Sequence, residues 1–251
     1  MRVGLFVTCL VDMMRPSIGF AALRLLESAG CEVYVPASQT CCGQPGWNAG
    51  DRDSARKLAV KLLDEFEDCE YVVAPSGSCA GMLRVHYADV FQGDEYQLAR
   101  ARRLASRAFE LTDFLVNVVK LDNINLEKVP GEFAGTVTYH DSCSGLRELG
   151  VKAQPRELLS MVRGLKIEEM NECETCCGFG GAFAVKFGDI SSQMASAKCA
   201  HIRASGAGTV VLGDLGCMLN IEGRLRFEGD ASTRVLHVAE VLGGCELPGK
   251  L

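Results

Sequence analysis

The chain has 251 residues, of which 48% are hydrophobic and 23% charged, and these fractions exclude an intrinsically disordered or collagen-like protein. The formal net charge of −6 argues against non-specific nucleic-acid binding, because that requires a basic surface. No apolar stretch reaches the ~18–20 residues of a transmembrane helix, so we expect no integral membrane segment. The apolar segment from Val3 to Val11 predicts a first buried strand rather than a signal peptide.

Hydrophobic periodicity predicts alternating strands and helices along the whole chain. In the first half we predict strands at Arg2–Val7, Glu32–Val35 and Tyr71–Ala74, and helices over 18–29 and 55–66. Asp51 or Asp53 is the expected N-cap of the second helix. A basic helical stretch over 98–107, an apolar helix at Leu111–Val119 and a linker at Asp122–Pro130 follow. In the second half we predict strands at Gly135–Tyr139, Leu165–Met170 and Thr209–Leu212, and helices at Pro155–Val162, Ile190–Ala204 and Val235–Leu242.

Thirteen cysteines are the unusual feature of the composition. Their odd number prevents complete disulfide pairing, and a chain of this length buries enough apolar surface to fold without disulfides. We expect a cytoplasmic, reducing environment, because the sequence shows no signal peptide pattern. In such an environment, clustered thiols more often bind metal or carry out redox chemistry.

The cysteines also repeat once along the chain. Each half contains a single cysteine, then Cys-Cys-Gly, then another single cysteine, at positions offset by 134 to 138 residues. The first set is Cys9, Cys41, Cys42 and Cys79, and the second set is Cys143, Cys176, Cys177 and Cys217. This repeat indicates an internal duplication, for which we predict an N-terminal domain of residues 1–121 and a C-terminal domain of residues 122–251.

The alternation of predicted strands and helices, together with the duplication, predicts an α/β fold of two tandem Rossmann-like domains, each with a parallel sheet. Ligands of such sheets bind at the carboxyl ends of the strands, and every repeated cysteine follows a predicted strand or lies on the loop after one. We therefore expect both sets of cysteines to form metal sites at the sheet edges.

Three chemistries are open to these thiols. An iron–sulfur cluster needs soft thiolate ligands, and Gly43, Gly178, Gly180 and Gly181 would let backbone N–H groups approach cluster sulfurs. Structural zinc usually shows short CxxC or CxxH spacings, and here only Cys173–Cys176 and the pair of His140 and Cys143 come close. A disulfide between adjacent cysteines would be strained and redox-active rather than structural.

The repeated order Cys … Cys-Cys-Gly … Cys resembles the CCG, or cysteine-rich domain, family, and the chain is closer still to the lactate-utilization protein A family. The resemblance is carried by the segments around each set of cysteines: 7–10, 40–45, 78–79, 139–143, 174–181 and 214–217. It implies iron–sulfur centres, at most one [4Fe–4S] cluster per domain, and a part in oxidising L-lactate to pyruvate. It also implies companion iron–sulfur and accessory proteins as partners.

One departure concerns the type of cluster. The related heterodisulfide-reductase pattern ends each motif in CxxC, whereas this chain has Met82 and Asn220 at the last position. Thioether and amide groups are poor substitutes for a thiolate, so four-cysteine clusters are favoured over five-cysteine ones. Cys173 is a candidate extra ligand in the second half only. No flavin or dinucleotide motif is present, which favours electron relay over hydride transfer by this chain.

Two other functions stay open from the sequence: a cluster-dependent thiol–disulfide reductase and a zinc-stabilised assembly module. The remaining cysteines, Cys31, Cys69, Cys199 and Cys245, do not repeat and are expected to be buried free thiols. His140 either tunes or ligates a cluster, or forms structural hydrogen bonds. Asp141 is expected to cap the next turn or to accept a proton. We expect His86, His201 and His237 to be surface or packing residues, and Trp47 to shield a cluster or simply pack.

Overall fold

The computed structural model describes residues 1–120 and 132–244, which form an α/β structure with two parallel sheets of four strands each. The predicted linker, the predicted boundary between residues 121 and 122, and Cys245 lie outside the described residues. Within the described ranges, no helix is both long and apolar enough to cross a lipid bilayer.

The first half contains strands β1 to β4 and helices α1 to α8. In chain order these are β1 (Arg2–Leu5), α1 (Cys9–Met14), α2 (Pro16–Ser28), β2 (Glu32–Tyr34), α3 (Gln44–Ala49), α4 (Arg52–Glu65), β3 (Tyr71–Ala74), α5 (Gly77–Gly81), a π-helical turn (Met82–His86), α6 (Tyr87–Val90), α7 (Glu95–Ala105), β4 (Ala108–Glu110), α8 (Leu111–Asp113) and a second π-helical segment (Phe114–Val119). The sheet order is β2-β1-β3-β4.

The second half repeats this organisation. Its elements are β5 (Glu132–His140), α9 (Cys143–Leu149), α10 (Ala153–Ser160), β6 (Arg163–Ile167), α11 (Ala182–Lys186), α12 (Gly188–Ala204), β7 (Thr209–Leu212), α13 (Leu215–Phe227), β8 (Arg234–His237) and α14 (Val238–Gly243). The sheet order is β6-β5-β7-β8, which is the order of the first sheet.

The strand registers confirm the duplication residue by residue. Val3 pairs with Tyr71 between β1 and β3, and Val137 pairs with Thr209 between β5 and β7. These pairs are related by the same offsets, 134 and 138, that relate the cysteines in the helices after these strands. The predicted fold, two tandem parallel-sheet domains related by duplication, is therefore confirmed.

Most predicted elements are present with shifted ends, but the fourth strand of each sheet was missed. Residues 235–242 were predicted as one helix, which is wrong, because Arg234–His237 forms β8 and only the following residues form α14. A short buried apolar run has no periodicity that separates strand from helix. The predicted N-cap at Asp51 is confirmed, since its carboxylate accepts a hydrogen bond from the Ser54 N–H at 3.1 Å.

The two halves pack through one shared hydrophobic core. That core contains buried side chains of both sheets, and α2 of the first half packs against α14 of the second. Arg15 and Ser17 extend this contact by binding the buried Glu240 carboxylate at 3.2 and 2.7 Å. On the other side, α5 packs against α9 so closely that a Cβ on Gly77 would lie 3.0 Å from the Gly145 Cα. The strand ends of the two halves therefore face one another.

Candidate metal centre

The single cysteines lie where strands give way to helices. Cys9 and Cys143 are the first residues of α1 and α9, which follow β1 and β5. Cys79 and Cys217 lie in the first turns of α5 and α13, which follow β3 and β7. Parallel strands end at one edge of their sheet, so each half brings its cysteines to that edge, as predicted.

Each Cys-Cys pair lies in a turn that only glycine completes without strain. Gly43 and Gly178 have φ angles of 86° and 87°, in the left-handed region. A Cβ on Gly178 would lie 2.8 Å from the Ser191 carbonyl oxygen, and one on Gly43 would lie 3.1 Å from that of Ala55. The turn aims the glycine N–H at the sulfur of the first cysteine, at 3.4 Å from Cys41 and 3.4 Å from Cys176.

The four thiols of each set touch in the same order. In the first set, the Cys41 thiol contacts those of Cys9 and Cys42, and the sulfurs of Cys42 and Cys79 are 3.5 Å apart. In the second set, Cys176 contacts Cys143 and Cys177, and Cys177 contacts Cys217. These contacts bring together all eight sulfurs that the sequence singled out, four in each half.

Hydrogen bonding within each set favours one thiolate. Hydrogen bonds with the thiols of Cys42 and Cys9 lower the pKa of Cys41 to about 3, and those with Cys143 and Cys177 lower the pKa of Cys176 to about 2. The same hydrogen bonds, together with burial, raise the pKa of the partner thiols Cys9, Cys42, Cys143 and Cys177. The hydrogen bonds of each set thus favour the thiolate form of Cys41 and of Cys176, and the thiolate is the form that binds metals.

Both sets line one cavity of about 570 Å³. Gly180 and Gly181 line it as well, whereas Gly43 and Gly178 do not. Helices α3 and α11, which follow the two Cys-Cys-Gly turns, also contribute to its walls and contact each other. The sequence predicted two separate sites, and the structure shows that they open into a common space.

Two hydrogen bonds that the sequence did not predict hold the paired-cysteine turns. The Tyr87 hydroxyl donates to the Cys42 carbonyl at 2.9 Å, and the Asn220 amide donates to the Cys177 carbonyl at 2.9 Å. Met82, which occupies the position equivalent to Asn220, is fully buried in the core. Asn220 was noted only as a departure from CxxC, and Tyr87 gives no signal in a sequence pattern.

His140 and Asp141 differ in their hydrogen-bond partners. Neither ring nitrogen of the fully buried His140 makes a well-formed hydrogen bond to a described residue. Burial lowers the pKa of this histidine to about 3, and interaction with the Cys173 backbone opposes that shift. The prediction that Asp141 caps the next turn is wrong, because Ser142 is the N-cap of α9. The Asp141 carboxylate instead binds the Arg156 guanidinium at 2.8 and 2.9 Å.

Of the other sequence candidates within the described residues, His86 lines the cavity and the remainder do not. Cys31, Cys69 and Cys199 are buried free thiols, as predicted, and Cys173 is half-buried and does not line the cavity. His237 is a buried N-cap of α14, and His86, on the cavity wall, lies 3.4 Å from the Glu148 carboxylate. Trp47 stacks against the Arg52 guanidinium, 3.5 Å from the ring centre, and is absent from the cavity lining.

The donor set suits a metal centre in each half. Four soft sulfur donors per set fit iron–sulfur clusters and zinc alike, because a thiolate tetrahedron does not by itself distinguish the two. Three buried ligand atoms, one nitrogen of His140 and the sulfurs of Cys177 and Cys217, also lie within 4.8 Å of one another. Within the described residues, such a compact group of ligand atoms is found in the second half alone, whereas the clustered thiols of the cysteine-rich domains suggest metal binding in both halves.

Fold and site together define a tandem cysteine-rich α/β protein. The family model of the CCG cysteine-rich domain matches residues 3–84 and 137–222, which contain both sets of cysteines. A crystal structure of a hypothetical protein from Helicobacter pylori has a TM-score of 0.62 at 10% identity over 96% of this chain. That likeness shows the fold alone, and this chain spans 48% of the Helicobacter chain.

Sequence relatives narrow the class further. Lactate utilization protein A 2 of Bacillus cereus strain Q1 is 44% identical over 96% of this chain and 98% of its own length. Lactate utilization protein A of Bacillus cytotoxicus is 45% identical over the same shares of the two chains. The chain belongs to the CCG cysteine-rich family and, within it, to the lactate utilization protein A family.

Proposed function

We propose that this chain is a cytoplasmic iron–sulfur protein that relays electrons during the oxidation of L-lactate to pyruvate. It works as one component of a complex with companion iron–sulfur and accessory proteins. The observation that carries the proposal is the pair of four-thiol sets facing one cavity. The name of the full-length relatives supports lactate as the source of the electrons.

The thiols would hold one [4Fe–4S] cluster in each half. Cys9, Cys41, Cys42 and Cys79 would bind the first, and Cys143, Cys176, Cys177 and Cys217 the second. Such a cluster, when bound, accepts and releases single electrons. The protein contributes the thiolates and orients them, through the glycine N–H groups aimed at Cys41 and Cys176 and through the hydrogen bonds to the two turns.

The cavity favours electron relay over binding of lactate. Within the described part of the chain, neither lysine nor arginine lines the cavity, whereas a carboxylate substrate is usually held by such a cation. The Asp214 carboxylate, which lies on the wall, already accepts hydrogen bonds from the Ser78 N–H at 2.9 Å and the Ser76 hydroxyl at 3.2 Å. We therefore assign the removal of hydrogen from lactate to a companion protein and the passage of single electrons to this chain.

The proposal is tested by metal analysis of protein purified without oxygen. We expect about four irons and four sulfides per set, and an absorption band that bleaches on reduction. Cys41→Ser and Cys176→Ser should each remove the iron of one set, and both should lower lactate-dependent electron transfer by the reconstituted complex. Cys31→Ser, which changes a buried cysteine outside both sets, is the matched control.

Two results would contradict the proposal. One is a colourless protein that holds zinc without sulfide even when prepared anaerobically, which would favour an assembly module. The other is loss of iron in both variants with unchanged lactate-dependent electron transfer, since the clusters would then lie outside the path.

A further inference from the structure

Two buried polar side chains, His140 and Lys198, lie near the second set of cysteines, and the first set has apolar side chains at the equivalent positions. The strand register places His140 in β5 where Phe6 follows β1. Helices α4 and α12 are equivalent, because Ala55 of α4 packs on Gly43 and Ser191 of α12 packs on Gly178. These two residues are 136 positions apart in the sequence, and the same offset places Lys198 of α12 at the position of Leu62 in α4. His140 and Lys198 are 0% and 1% exposed.

Phe6 and His140 are both buried at equivalent positions, but the ring of Phe6 is apolar and the ring of His140 is polar. Phe6 packs edge-on against Phe66 with ring centres 6.1 Å apart, so an apolar ring there is fully accommodated. His140 has two polar ring atoms in an equally buried place; neither makes a well-formed hydrogen bond to a described residue, and the Cys173 backbone is close enough to act on the ring. That backbone group serves at most one of the two nitrogens, and a buried polar atom without a partner is unfavourable, so the other nitrogen is available to a ligand.

The geometry identifies what that ligand would be. A ring nitrogen of His140 and the sulfurs of Cys177 and Cys217 lie within 4.8 Å of one another. Metal bonds of about 2.0–2.3 Å bring ligand atoms of one metal to about this separation or closer. The imidazole thus lies where it can bind the same metal as one of these thiolates.

We propose that His140 is a nitrogen ligand of the metal centre in the second half, which makes that centre chemically different from the all-sulfur centre of the first half. The inference deepens the proposed function, on which its iron chemistry rests. A [4Fe–4S] cluster takes four protein ligands, so the nitrogen of His140 would replace the thiolate of Cys177 or Cys217 at one iron. A neutral nitrogen in place of a thiolate raises the reduction potential of an iron–sulfur centre. Lys198 lies close enough to Cys177 to act on it electrostatically; burial lowers the pKa of its amine, which donates a hydrogen bond to the Glu172 carbonyl. With clusters bound in both halves, this difference in potential would favour the passage of single electrons from the first centre to the second.

Pulsed electron paramagnetic resonance on the reduced holoprotein tests the ligand directly. With histidine labelled by ¹⁵N, we expect a strongly coupled ¹⁵N signal in the unaltered protein. The signal should disappear in His140→Phe, which copies the residue of the first half, and in the smaller His140→Gln. His201→Gln, a partly exposed histidine on α12, is the matched control and should keep it. Redox titration should give a higher midpoint potential for the second centre, with a narrower gap in His140→Phe.

The unaltered protein alone decides the outcome, so a poorly folding variant does not spoil the test. Absence of strong histidine coupling in a protein that holds iron in both sets overturns the inference and leaves the proposed function standing. A protein that holds zinc instead of iron refutes the proposed relay. X-ray absorption at the zinc edge then tests whether a nitrogen of His140 binds the metal. Nitrogen in the zinc shell that is lost in His140→Phe supports the ligand, and an all-sulfur shell overturns it.

Discussion

Replacing Tyr87 with phenylalanine removes one hydroxyl from the interior and leaves the aromatic ring in place. The Tyr87 side chain is fully buried and packs edge-on against Phe91, with ring centres 6.4 Å apart. Its hydroxyl donates to the Cys42 carbonyl at 2.9 Å. Tyr87→Phe therefore deletes the donor and leaves a buried acceptor on the backbone of the first Cys-Cys turn.

The expected loss of unfolding free energy follows from the Cys42 carbonyl, which stays buried after its donor has been removed. Leaving a buried acceptor unsatisfied costs about 1–3 kcal/mol, because no water replaces the lost donor. We expect urea unfolding of the reduced, metal-free protein to show a loss in this range. In the holoprotein, a chelator should remove iron faster from the first set than from the second, since only the first turn is loosened.

Tyr96→Phe is the matched control, because that ring on α7 is 70% exposed. Its effect should stay within about 0.5 kcal/mol, as for most surface substitutions. If Tyr87→Phe changes the free energy of unfolding no more than Tyr96→Phe, the hydroxyl does not hold the turn and the reasoning is refuted.

Three further changes test other parts of the site. Asn220→Leu removes the equivalent donor to Cys177 and should speed iron release from the second set alone, measured with the same chelator; equal release from both sets would contradict it. Gly178→Ala should lower the unfolding free energy more than Gly206→Ala does, by about 1 kcal/mol or more. Both glycines have positive φ, but only at Gly178 would the added Cβ collide with backbone atoms; equal shifts in thermal unfolding would contradict this. Burial raises the pKa of Glu110 from 4.5 to about 7, so the folded protein retains a proton that the unfolded chain releases. Unfolding free energy of the metal-free protein should fall by up to about 3 kcal/mol between pH 4.5 and 7, and Glu110→Gln should flatten that fall in urea titrations; an unchanged slope would exclude Glu110 as its source.

Cysteine spacing predicted the duplication, the alternation of strands and helices predicted the α/β class, and the two together predicted the edge of the sheet on which the thiols meet. They could do so because parallel strands end together and a repeated ligand order leaves a repeated offset. The strands β4 and β8 were not predicted, since runs of three or four residues such as Ala108–Glu110 carry no periodicity. The roles of Tyr87 and Asn220 depend on which carbonyl lies nearby, and that is fixed only by tertiary packing.

The offset between the two halves says nothing about how they face each other, and here the packing decides what the site can do. Gly77 and Gly145 let α5 and α9 approach closely, and the Gly77 N–H donates to the Gly213 carbonyl at 3.2 Å across the halves. Without these small residues the strand ends could not face one another, and the two thiol sets would open into separate spaces. Because both halves also contribute to one core, either half alone would expose buried side chains such as Leu25 and Leu242. The pairing of two thiol sets on one cavity is thus a property of the whole chain, and the proposed relay would require both halves folded together.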